Sequence, residues 1–251
     1  MIVIKSPEEI ELMARAASVT GEMLKILPGI IKAGMSTKDI DDWCEKYILD
    51  NGMKPAFKGY GGFPGCACVS VNEEVVHGIP SKDKIIKEGD IVSVDLGTIY
   101  RGYYSDAART YPVGKISEKH KELIKAAEDA FFEGLKYCTP DYRLGDVEHA
   151  IGELVESRGF SVIRDYVGHG VGRNLHEDPQ IPNVGKAGRG PRLVPGMVLA
   201  IEPMIAEGDW EVEVLANDWT AVMVDGGYAA HYENTVVITN GEPRLLTCFD
   251  R

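Results

Sequence analysis

Five positions that are far apart in the chain carry side chains capable of binding metal ions together. One is a histidine in a glycine-rich stretch, and four are acids in or beside apolar runs that resemble buried strands. The five are Asp95, Asp106, His169, Glu202 and Glu233. Burying an unpaired carboxylate costs several kcal/mol, which is comparable to the stability of a small domain. Either each acid therefore has its own partner, or all of them share cations in one site.

Charge balance is consistent with a shared site that holds two divalent cations. Four carboxylates carry four negative charges, which two such ions neutralise, and one neutral imidazole adds a nitrogen ligand. An oxygen-rich set with one nitrogen suits Mn²⁺, Fe²⁺ or Co²⁺, and Zn²⁺ also binds such ligands. Two metals about 3.5–4 Å apart activate water at neutral pH and stabilise a tetrahedral centre. The chemistry predicted is hydrolysis of a carbonyl or phosphoryl bond.

Asp95 and Asp106 are predicted to share one face of a hairpin. A turn signal, Tyr100-Arg101-Gly102, lies between them. In an antiparallel hairpin that turns there, the two acids lie opposite each other or one diagonal apart. Carboxylates so placed repel each other unless a cation lies between them. The alternative is a solvated hairpin with two ordinary surface aspartates.

Three histidines are candidates for chemistry. His169 lies in Gly168–Gly172, where glycine allows tight backbone conformations that aim a side chain, and His176 follows seven residues later. His77 ends an apolar run before a turn. Each could be an ordinary hydrogen-bonded structural histidine. Beside metals, His77 becomes a candidate to bind substrate or stabilise charge.

Two helix pairs and several short strands are predicted to position these side chains. Ser6-Pro7-Glu8-Glu9 is typical of a capped helix start, and that helix is predicted to end near Leu27, before Pro28-Gly29. Further helices are predicted over 36–52, 117–138 and 145–158. Strands are predicted over 68–71, 90–96, 103–111, 162–166, 197–201, 210–215, 220–224 and 234–239.

Both halves of the chain have the same order of elements, with two helices followed by strands. We therefore predict a single domain over 1–251 with internal half-repeats of about 3–115 and 116–251. EGDIVSVDLG (88–97) aligns with PGMVLAIEPM (195–204), which places Gly89 on Gly196 and Asp95 on Glu202. A two-fold relation between these segments would bring one acid from each half to a common axis.

Composition limits the partners and the compartment. The net charge of −12 argues against a nucleic-acid-binding surface and is compatible with cation binding. The five cysteines are irregularly spaced and are expected to stay reduced. The sequence has no signal peptide pattern and no apolar run of about 20 residues. We expect a cytoplasmic protein that does not enter a membrane.

The motifs around these residues resemble those of type I methionine aminopeptidases. The matching segments are VSVNEEVVHGIP, GDIVSVDLGTIYRGYYSDAARTY, YVGHGVGRNLHEDPQIPN, GMVLAIEPM and YENT, and the resemblance covers residues 3–248. It implies an α+β fold of the pita-bread type, a pseudo-two-fold antiparallel sheet backed by two pairs of helices. It also implies metal-dependent removal of the initiator methionine from nascent proteins and peptides, with a preference for a small second residue.

The resemblance assigns roles to the five ligands of two divalent ions (Co, Mn, Fe or Zn). Asp95 would chelate one ion, and the free α-amine of the substrate would bind that same ion. Asp106 and Glu233 would bridge both ions, while His169 and Glu202 complete the second. The hydroxide held between the metals would attack the first peptide carbonyl, with Glu202 as general base.

The resemblance also assigns residues to the substrate. His176 would bind the scissile carbonyl oxygen, and His77 would contact the peptide nitrogen. The methionine side chain would lie in a pocket formed by Phe57, Tyr60, Phe63, Cys68, Leu175 and Trp219, although ordinary core packing is the alternative for each. Four positions depart from the family pattern. Related enzymes often carry other residues in place of Phe57 and Leu175, and His231 and Asn234 stand where other members more often have glutamine and histidine. His231 could be a hydrogen-bond partner of a ligand.

The expected partners are the N-termini of nascent polypeptides, with transient ribosome association and a monomeric enzyme. Lys82, Lys84 and Lys87 form a modest basic cluster that could contact ribosomal RNA, or simply a solvated turn. Two other functions stay open: an X-Pro dipeptidase, and a non-catalytic pita-bread binding protein. Such dipeptidases usually carry a further N-terminal domain, and such binding proteins lose metal ligands, whereas all five are present here.

Overall fold

In the computed structural model, which describes residues 1–247, helices and short strands alternate along the chain; Cys248 lies outside that range. The helices are α1 (Pro7–Ile30), α2 (Thr37–Asp50), α3 (Glu118–Leu135) and α4 (Leu144–Ser157). The strands are β1 (Lys54–Pro55), β2 (Ala67–Val71), β3 (Glu74–Val76), β4 (Ile91–Tyr100), β5 (Tyr103–Pro112), β6 (Ser161–Val162), β7 (Gly168–Gly170), β8 (Glu177–Ile181), β9 (Val198–Ile201), β10 (Met204–Ala206), β11 (Val212–Val214), β12 (Ala221–Met223), β13 (Ala229–His231), β14 (Asn234–Val237) and β15 (Arg244–Leu245).

A long hairpin forms the centre of the first half. Strands β4 and β5 pair antiparallel along their whole lengths. Arg101 and Gly102 form its two-residue turn with φ values of 49° and 82°, and two positive φ angles are what a type I′ hairpin turn requires. Strands β1 and β2 pair with the other edge of β4. The hairpin predicted from the turn signal is confirmed.

The remaining strands form three further antiparallel sheets. Their orders are β15-β14-β9-β7-β8, β13-β10-β6 and β11-β12-β3. Helices α1 and α2 pack on the sheet that contains β4, whereas α3 and α4 pack on each other and on strands of the second half. Two buried apolar clusters follow this division. Helix pairs backing antiparallel sheets confirm the predicted α+β class.

The first helix extends beyond the predicted end. Helix α1 continues through Pro28 to Ile30, and its N-cap is the predicted capping box of Ser6 and Glu9. Proline at position 28 has no N–H to donate to the carbonyl of Leu24. The Tyr111 hydroxyl from β5 donates to that carbonyl instead, at 2.7 Å. The prediction that the helix ends near Leu27 is wrong because a distant side chain satisfies the acceptor that proline leaves open.

The two segments that align in the sequence have matching local conformations. Gly89 and Gly196 have φ values of 94° and 90°, in the region that favours glycine. Each glycine N–H donates to a residue that follows the returning strand, Val113 and Ile238 respectively. Strands β4 and β9 begin shortly after these glycines. The division of the whole chain into two half-repeats stays a prediction.

Two expectations from composition can be compared with the described residues. Cys44, Cys66, Cys68 and Cys138 are buried free thiols, and the expectation that the cysteines stay reduced remains a prediction. Among residues 1–247, none of the helices is long and apolar enough to cross a membrane.

Candidate metal centre and active site

All thirteen site residues predicted from the sequence line a single cavity of about 200 Å³. Its base is formed by the ligand cluster, by which we mean Asp95, Asp106, His169, Glu202 and Glu233. One side is formed by the apolar wall, by which we mean Phe57, Tyr60, Phe63, Cys68, Leu175 and Trp219. His77 and His176, which we call the rim histidines, complete the lining.

The central hairpin positions the first two acids. Asp95 pairs with Ala108, and Asp106 pairs with Gly97 two residues further along β4. Side chains two residues apart point to the same face of a strand. The two aspartates are therefore diagonal neighbours on one face, which is one of the two arrangements predicted.

A junction between β5 and the segment around β14 brings Glu233 to Asp106. The Ala108 and Glu233 backbones exchange hydrogen bonds of 3.4 and 3.0 Å. On one side of this pair, the Thr235 hydroxyl donates to Asp106 O at 2.8 Å and accepts from its N–H at 3.1 Å. On the other side, Thr110 makes the equivalent pair of contacts with His231 O and N–H. Threonine hydroxyls thus continue an antiparallel register between the two halves of the chain.

Arg109 reinforces this junction. Its guanidinium donates to Glu233 O at 2.5 Å and to Asn234 Oδ1 at 2.7 Å, and it lies 3.9 Å from the centre of the Tyr232 ring. Sequence reasoning did not identify Arg109, Thr110 or Thr235. Their only signal is polarity at buried or half-buried strand positions, which does not reveal partners that lie more than 120 residues away.

The His169 tautomer is suited to metal binding. Its Nδ1 lies 2.9 Å from Gly170 O; because a carbonyl can only accept, Nδ1 carries the proton and Nε2 has a free lone pair. Nε2 lies 3.4 Å from Glu202 Oε1 and 3.6 Å from Asp106 Oδ2. Burial lowers the pKa of His169 to about 3, so the imidazole is neutral at pH 7.

The acids of the ligand cluster are placed where they cannot all ionise without a cation. Burial raises the pKa of Asp95 to about 7. Burial, followed by the neighbouring carboxylates, raises the pKa values of Asp106, Glu202 and Glu233 well above their ordinary range. Asp95 Oδ1, Asp106 Oδ1 and Glu233 Oε1 are buried without a hydrogen-bond partner within residues 1–247.

These features fit a divalent metal site. Ligand atoms of Asp106, His169 and Glu233 lie within 4.8 Å of one another. Carboxylate oxygens without hydrogen-bond partners, next to an unprotonated imidazole nitrogen, are ligands that divalent cations bind. Among the described residues no lysine or arginine forms an ion pair with these four carboxylates. Arg109 acts on Glu233 electrostatically, but its guanidinium donates to the backbone oxygen and not to the carboxylate. Private salt bridges therefore do not explain the buried acids.

His231 lies directly behind the ligands. It is 1% exposed, and its Nε2 has no hydrogen-bond partner among the described residues. That nitrogen is 3.8 Å from Glu202 Oε2 and 3.9 Å from Glu233 Oε2. Small rotations of either carboxylate would bring it within hydrogen-bond distance.

The apolar wall is a compact cluster of its own. Phe57, Phe63, Cys68 and Leu175 are each no more than 6% exposed, and Trp219 packs against them with an edge-on contact to Phe63. Burial raises the pKa of the Cys68 thiol well above its ordinary value, so it is an apolar surface rather than a nucleophile. Tyr60 lies at the opening and is 40% exposed.

The rim histidines stand on irregular backbone. His77 follows β3 with φ of +60°, a conformation that is strained for a residue with a side chain. Its ring lies edge-on to Tyr166 and Trp219, and burial lowers its pKa to about 4. The His176 ring lies 4.3 Å from that of His169, and its Nδ1 is 2.8 Å from the Tyr60 hydroxyl.

Four further residues line the cavity that the sequence reasoning did not name as site residues. They are Val76, Tyr166, Val167 and Met204. The predicted strand over 162–166 is confined to Ser161–Val162, so Tyr166 is free to turn toward His77. In the sequence, these four residues lie next to or within three positions of His77, His169 or Glu202. That proximity was the signal that could have identified them as site residues.

Comparison with known proteins is consistent with this geometry. Residues 11–240 match the model of metallopeptidase family M24. A methionine aminopeptidase of Clostridium acetobutylicum is 52% identical over 247 residues, which cover 98% of this chain and 99% of that protein. Methionine aminopeptidase 1 of Bacillus subtilis is 49% identical with the same coverage.

Solved structures give the same result. The crystal structure of a methionine aminopeptidase from Thermotoga maritima superposes with a TM-score of 0.97 at 52% identity, covering 99% of this chain and all of that one. The prolidase from Pyrococcus furiosus superposes with a TM-score of 0.79 at 26% identity; the match covers 99% of this chain but 66% of the prolidase. The pita-bread fold implied by the resemblance is thereby confirmed.

Proposed function

The chain belongs to metallopeptidase family M24, and we propose that it removes the N-terminal methionine from nascent proteins and peptides. The observation that carries this proposal is the single cavity in which the ligand cluster, the rim histidines and the apolar wall meet. The relatives matched over nearly their full length are methionine aminopeptidases, at 49–52% identity, whereas the prolidase is 26% identical and is matched over 66% of its chain.

The ligand cluster would hold two divalent ions, for which Co²⁺, Mn²⁺, Fe²⁺ and Zn²⁺ are the candidates. Asp95 would bind one ion, Asp106 and Glu233 both, and His169 and Glu202 the other. When bound, the ions supply Lewis acidity and lower the pKa of a water molecule toward 7. His231 would orient the Glu202 and Glu233 carboxylates from behind.

The chain's own residues then bind substrate and move protons. Water adds to the first peptide carbonyl, the C–N bond breaks, and the products are methionine and the shortened peptide. Glu202 would accept a proton from the water at a carboxylate oxygen and pass it to the departing amine. We assign the Tyr60 hydroxyl as donor to His176 Nδ1, which leaves Nε2–H to donate to the carbonyl oxygen.

Substrate preference would follow from the wall and from His77. The thioether of methionine suits a pocket of aromatic rings and a thiol. His77 would contact the nitrogen of the scissile bond. Because its ring is packed edge-on between Tyr166 and Trp219, there is little room beside it, and a small second residue would be preferred.

The proposed substrate also suggests where the enzyme works and what it contacts. New N-termini arise in the cytoplasm at ribosomes, so we propose a cytoplasmic enzyme that associates with ribosomes transiently. It would act as a monomer, because one chain supplies every proposed site residue, and would need neither a membrane nor DNA. Of the basic cluster, Lys84 already contacts the buried Glu74, which weakens a role in binding RNA.

The test is to titrate metal-free protein with each of the four ions and measure cleavage of Met-Ala-Ser and Leu-Pro. We expect metal-stimulated release of methionine from Met-Ala-Ser. Preferential cleavage of Leu-Pro would instead identify an X-Pro dipeptidase. No cleavage of either peptide with any ion would favour a binding protein.

A further inference from the structure

The loop that carries His176 has no helix or strand, although an imidazole that acts on substrate must be held in a defined position. Residues 171–176 lie between β7 and β8, and the His176 side chain is exposed. Its ring contacts the Tyr60 hydroxyl and the His169 ring. Few neighbours hold the ring itself, so its position depends on how the flanking backbone is anchored. Leu175 anchors one side by packing in the apolar wall.

A buried ion pair anchors the other side. Lys5 Nζ lies 2.7 Å from Glu177 Oε2, with the two side chains 3% and 8% exposed. The second oxygen, Glu177 Oε1, accepts from the N–H of Asn174 at 3.1 Å. The Glu177 carboxylate thus binds the backbone of its own loop with one oxygen. With the other oxygen it binds Lys5 in the N-terminal arm, by which we mean residues 1–6 before α1.

Backbone atoms of the N-terminal arm and of the His176 loop lie close to this ion pair. Lys5 N–H donates to Gly196 O at 2.8 Å, shortly before β9 and the ligand Glu202. At Gly172 an added Cβ would lie 2.6 Å from Lys5 Cε and 2.7 Å from Glu177 Oε1. A side chain at Gly172 would therefore displace the pair. The contacts connect the His176 loop, through Lys5, to the segment that leads to the ligand cluster.

Stability alone does not explain such a pair. Desolvation of two buried charges offsets much of their attraction, and apolar replacements of similar volume are often neutral or stabilising. A charge-assisted hydrogen bond, by contrast, is directional and fixes the atoms it joins. The pair is suited to setting the position of the loop.

We propose that Lys5 is a positioning residue for His176, because its buried ammonium holds Glu177 and thereby fixes the loop that presents the imidazole to substrate. This inference rests on the proposed function for its catalytic consequence. It predicts that Lys5 affects turnover through His176 and leaves metal binding unchanged.

The test is a double-mutant cycle with Met-Ala-Ser as substrate. In the wild-type background, Lys5→Met should lower kcat by roughly 10–100-fold, the range for partners that orient a functional group, with KM changed less than about twofold. In the His176→Ala background, the same substitution should lower kcat less than about twofold. Lys5→Arg should retain most of the activity. Metal content should equal that of the wild type throughout.

Two controls separate positioning from general damage. Lys46→Met breaks the exposed pair with Asp50 on α2 and should leave kcat unchanged. If Lys5→Met does not fold, the Lys5→Met/Glu177→Met protein replaces the pair with apolar side chains and should show the same loss of kcat. Equal losses in both cycle backgrounds, loss of metal, or full activity of the double methionine variant would overturn the proposal.

Hydrogen exchange provides a readout that does not depend on activity. Peptides covering residues 172–177 should exchange faster in Lys5→Met than in the wild type, because Glu177 no longer holds the Asn174 amide. Unchanged exchange would contradict the positioning role. If the wild type failed to cleave Met-Ala-Ser, the proposed function would fail, while this measurement would still decide whether Lys5 holds the loop.

Discussion

The ligand cluster and the rim histidines line the same cavity but are held in contrasting ways. Asp106 and Glu233 are 4% and 1% exposed and are joined through paired backbone and threonine hydroxyls. His176 is exposed on a loop. His77 follows β3 and itself has a left-handed backbone conformation. Groups that share a cation need fixed mutual distances, whereas groups that meet a substrate need access. The sheet junction meets the first need, and anchored loops meet the second.

The contrast also separates what each region contributes to stability. Four carboxylates with raised pKa values form a buried region that opposes folding unless cations or protons neutralise it. The rim histidines, being neutral and partly solvated, impose no comparable penalty. Changes in the ligand cluster should therefore alter metal content and stability, and changes at the rim should alter turnover.

The largest effect is expected at the junction of the ligand cluster. Asp106→Asn removes a charge that two metals would share, and we expect loss of at least one metal and a fall in kcat/KM of more than about 10³-fold, beyond the roughly 10–100-fold typical of outer partners. Metal analysis of the purified protein and cleavage of Met-Ala-Ser measure both. Asp42→Asn, at an exposed position on α2, is the control. Asp106→Asn protein with two bound metals would contradict the assignment.

The next largest effect is expected at the rim. His176→Ala should lower kcat by roughly 10²–10³-fold, the range for losing one donor to a developing oxyanion, with metal content unchanged. Tyr60→Phe removes only the contact to Nδ1 and should lower kcat by roughly tenfold. Loss of metal from the His176 variant would move that residue into the ligand cluster and end the distinction between the two regions.

A smaller effect concerns pH and the metal-free protein. In the folded state the cluster carboxylates hold protons that the unfolded chain has released above pH 4–5, so stability falls as pH rises through their raised pKa values. The buried histidines, whose pKa values are lowered, act in the opposite direction, but little of their effect is left above pH 6.5 because histidines of the unfolded chain are already half deprotonated there. From pH 6.5 to 8 the carboxylates should therefore dominate and destabilise the metal-free protein.

Urea denaturation at these two pH values, with and without a chelator, measures this effect. The urea midpoint of chelated protein should be lower at pH 8. Metal-loaded protein should not lose stability, since metal binding strengthens as ligands deprotonate. A chelated protein that gains stability from pH 6.5 to 8 would show that the carboxylates do not dominate the cavity.

The smallest effect on catalysis is expected at the apolar wall. Phe63→Leu enlarges the pocket and should raise KM for Met-Ala-Ser by roughly tenfold, as expected for lost apolar contact in a pocket, with kcat changed little. Steady-state kinetics measure the split. Phe132→Leu on α3, against the buried apolar cluster of the second half, makes the same truncation away from the cavity. A similar rise in KM for both variants would mean that general loosening, rather than the wall, is responsible.

Sequence reasoning succeeded where the determining interactions are local. The capping box at Ser6 begins α1 as predicted, and α2 starts after Ser36 as predicted, with a capping box that had not been predicted. The turn signal at Arg101-Gly102 fixed the hairpin register, and with it the relation of Asp95 to Asp106. His169, Glu202 and Glu233 were candidate ligands from residue type and local setting, whereas the roles of the ligands and the wall residues came from family resemblance. The structure gathers all these positions into one cavity.

Sequence reasoning fell short where a group depends on a partner far along the chain. The end of α1 depends on the Tyr111 hydroxyl, which accommodates Pro28. The neighbourhood of Asp106 and Glu233 depends on Thr110, Thr235 and Arg109. The contacts of Thr110, Thr235 and Arg109 have no recognisable sequence spacing, because side-chain contacts between strands more than 120 residues apart follow no backbone period.

By itself, the sequence determined which residues could bind metal, their number and charge, and the local elements that carry them. Those properties follow from residue type and from the periods of helix and strand. Only the tertiary structure decided that the acids meet, that His169 presents Nε2 to them, and that Lys5 anchors the loop of His176. Such distances arise when sheets and loops from both halves pack together, because burial and hydrogen bonding are then satisfied across the whole chain.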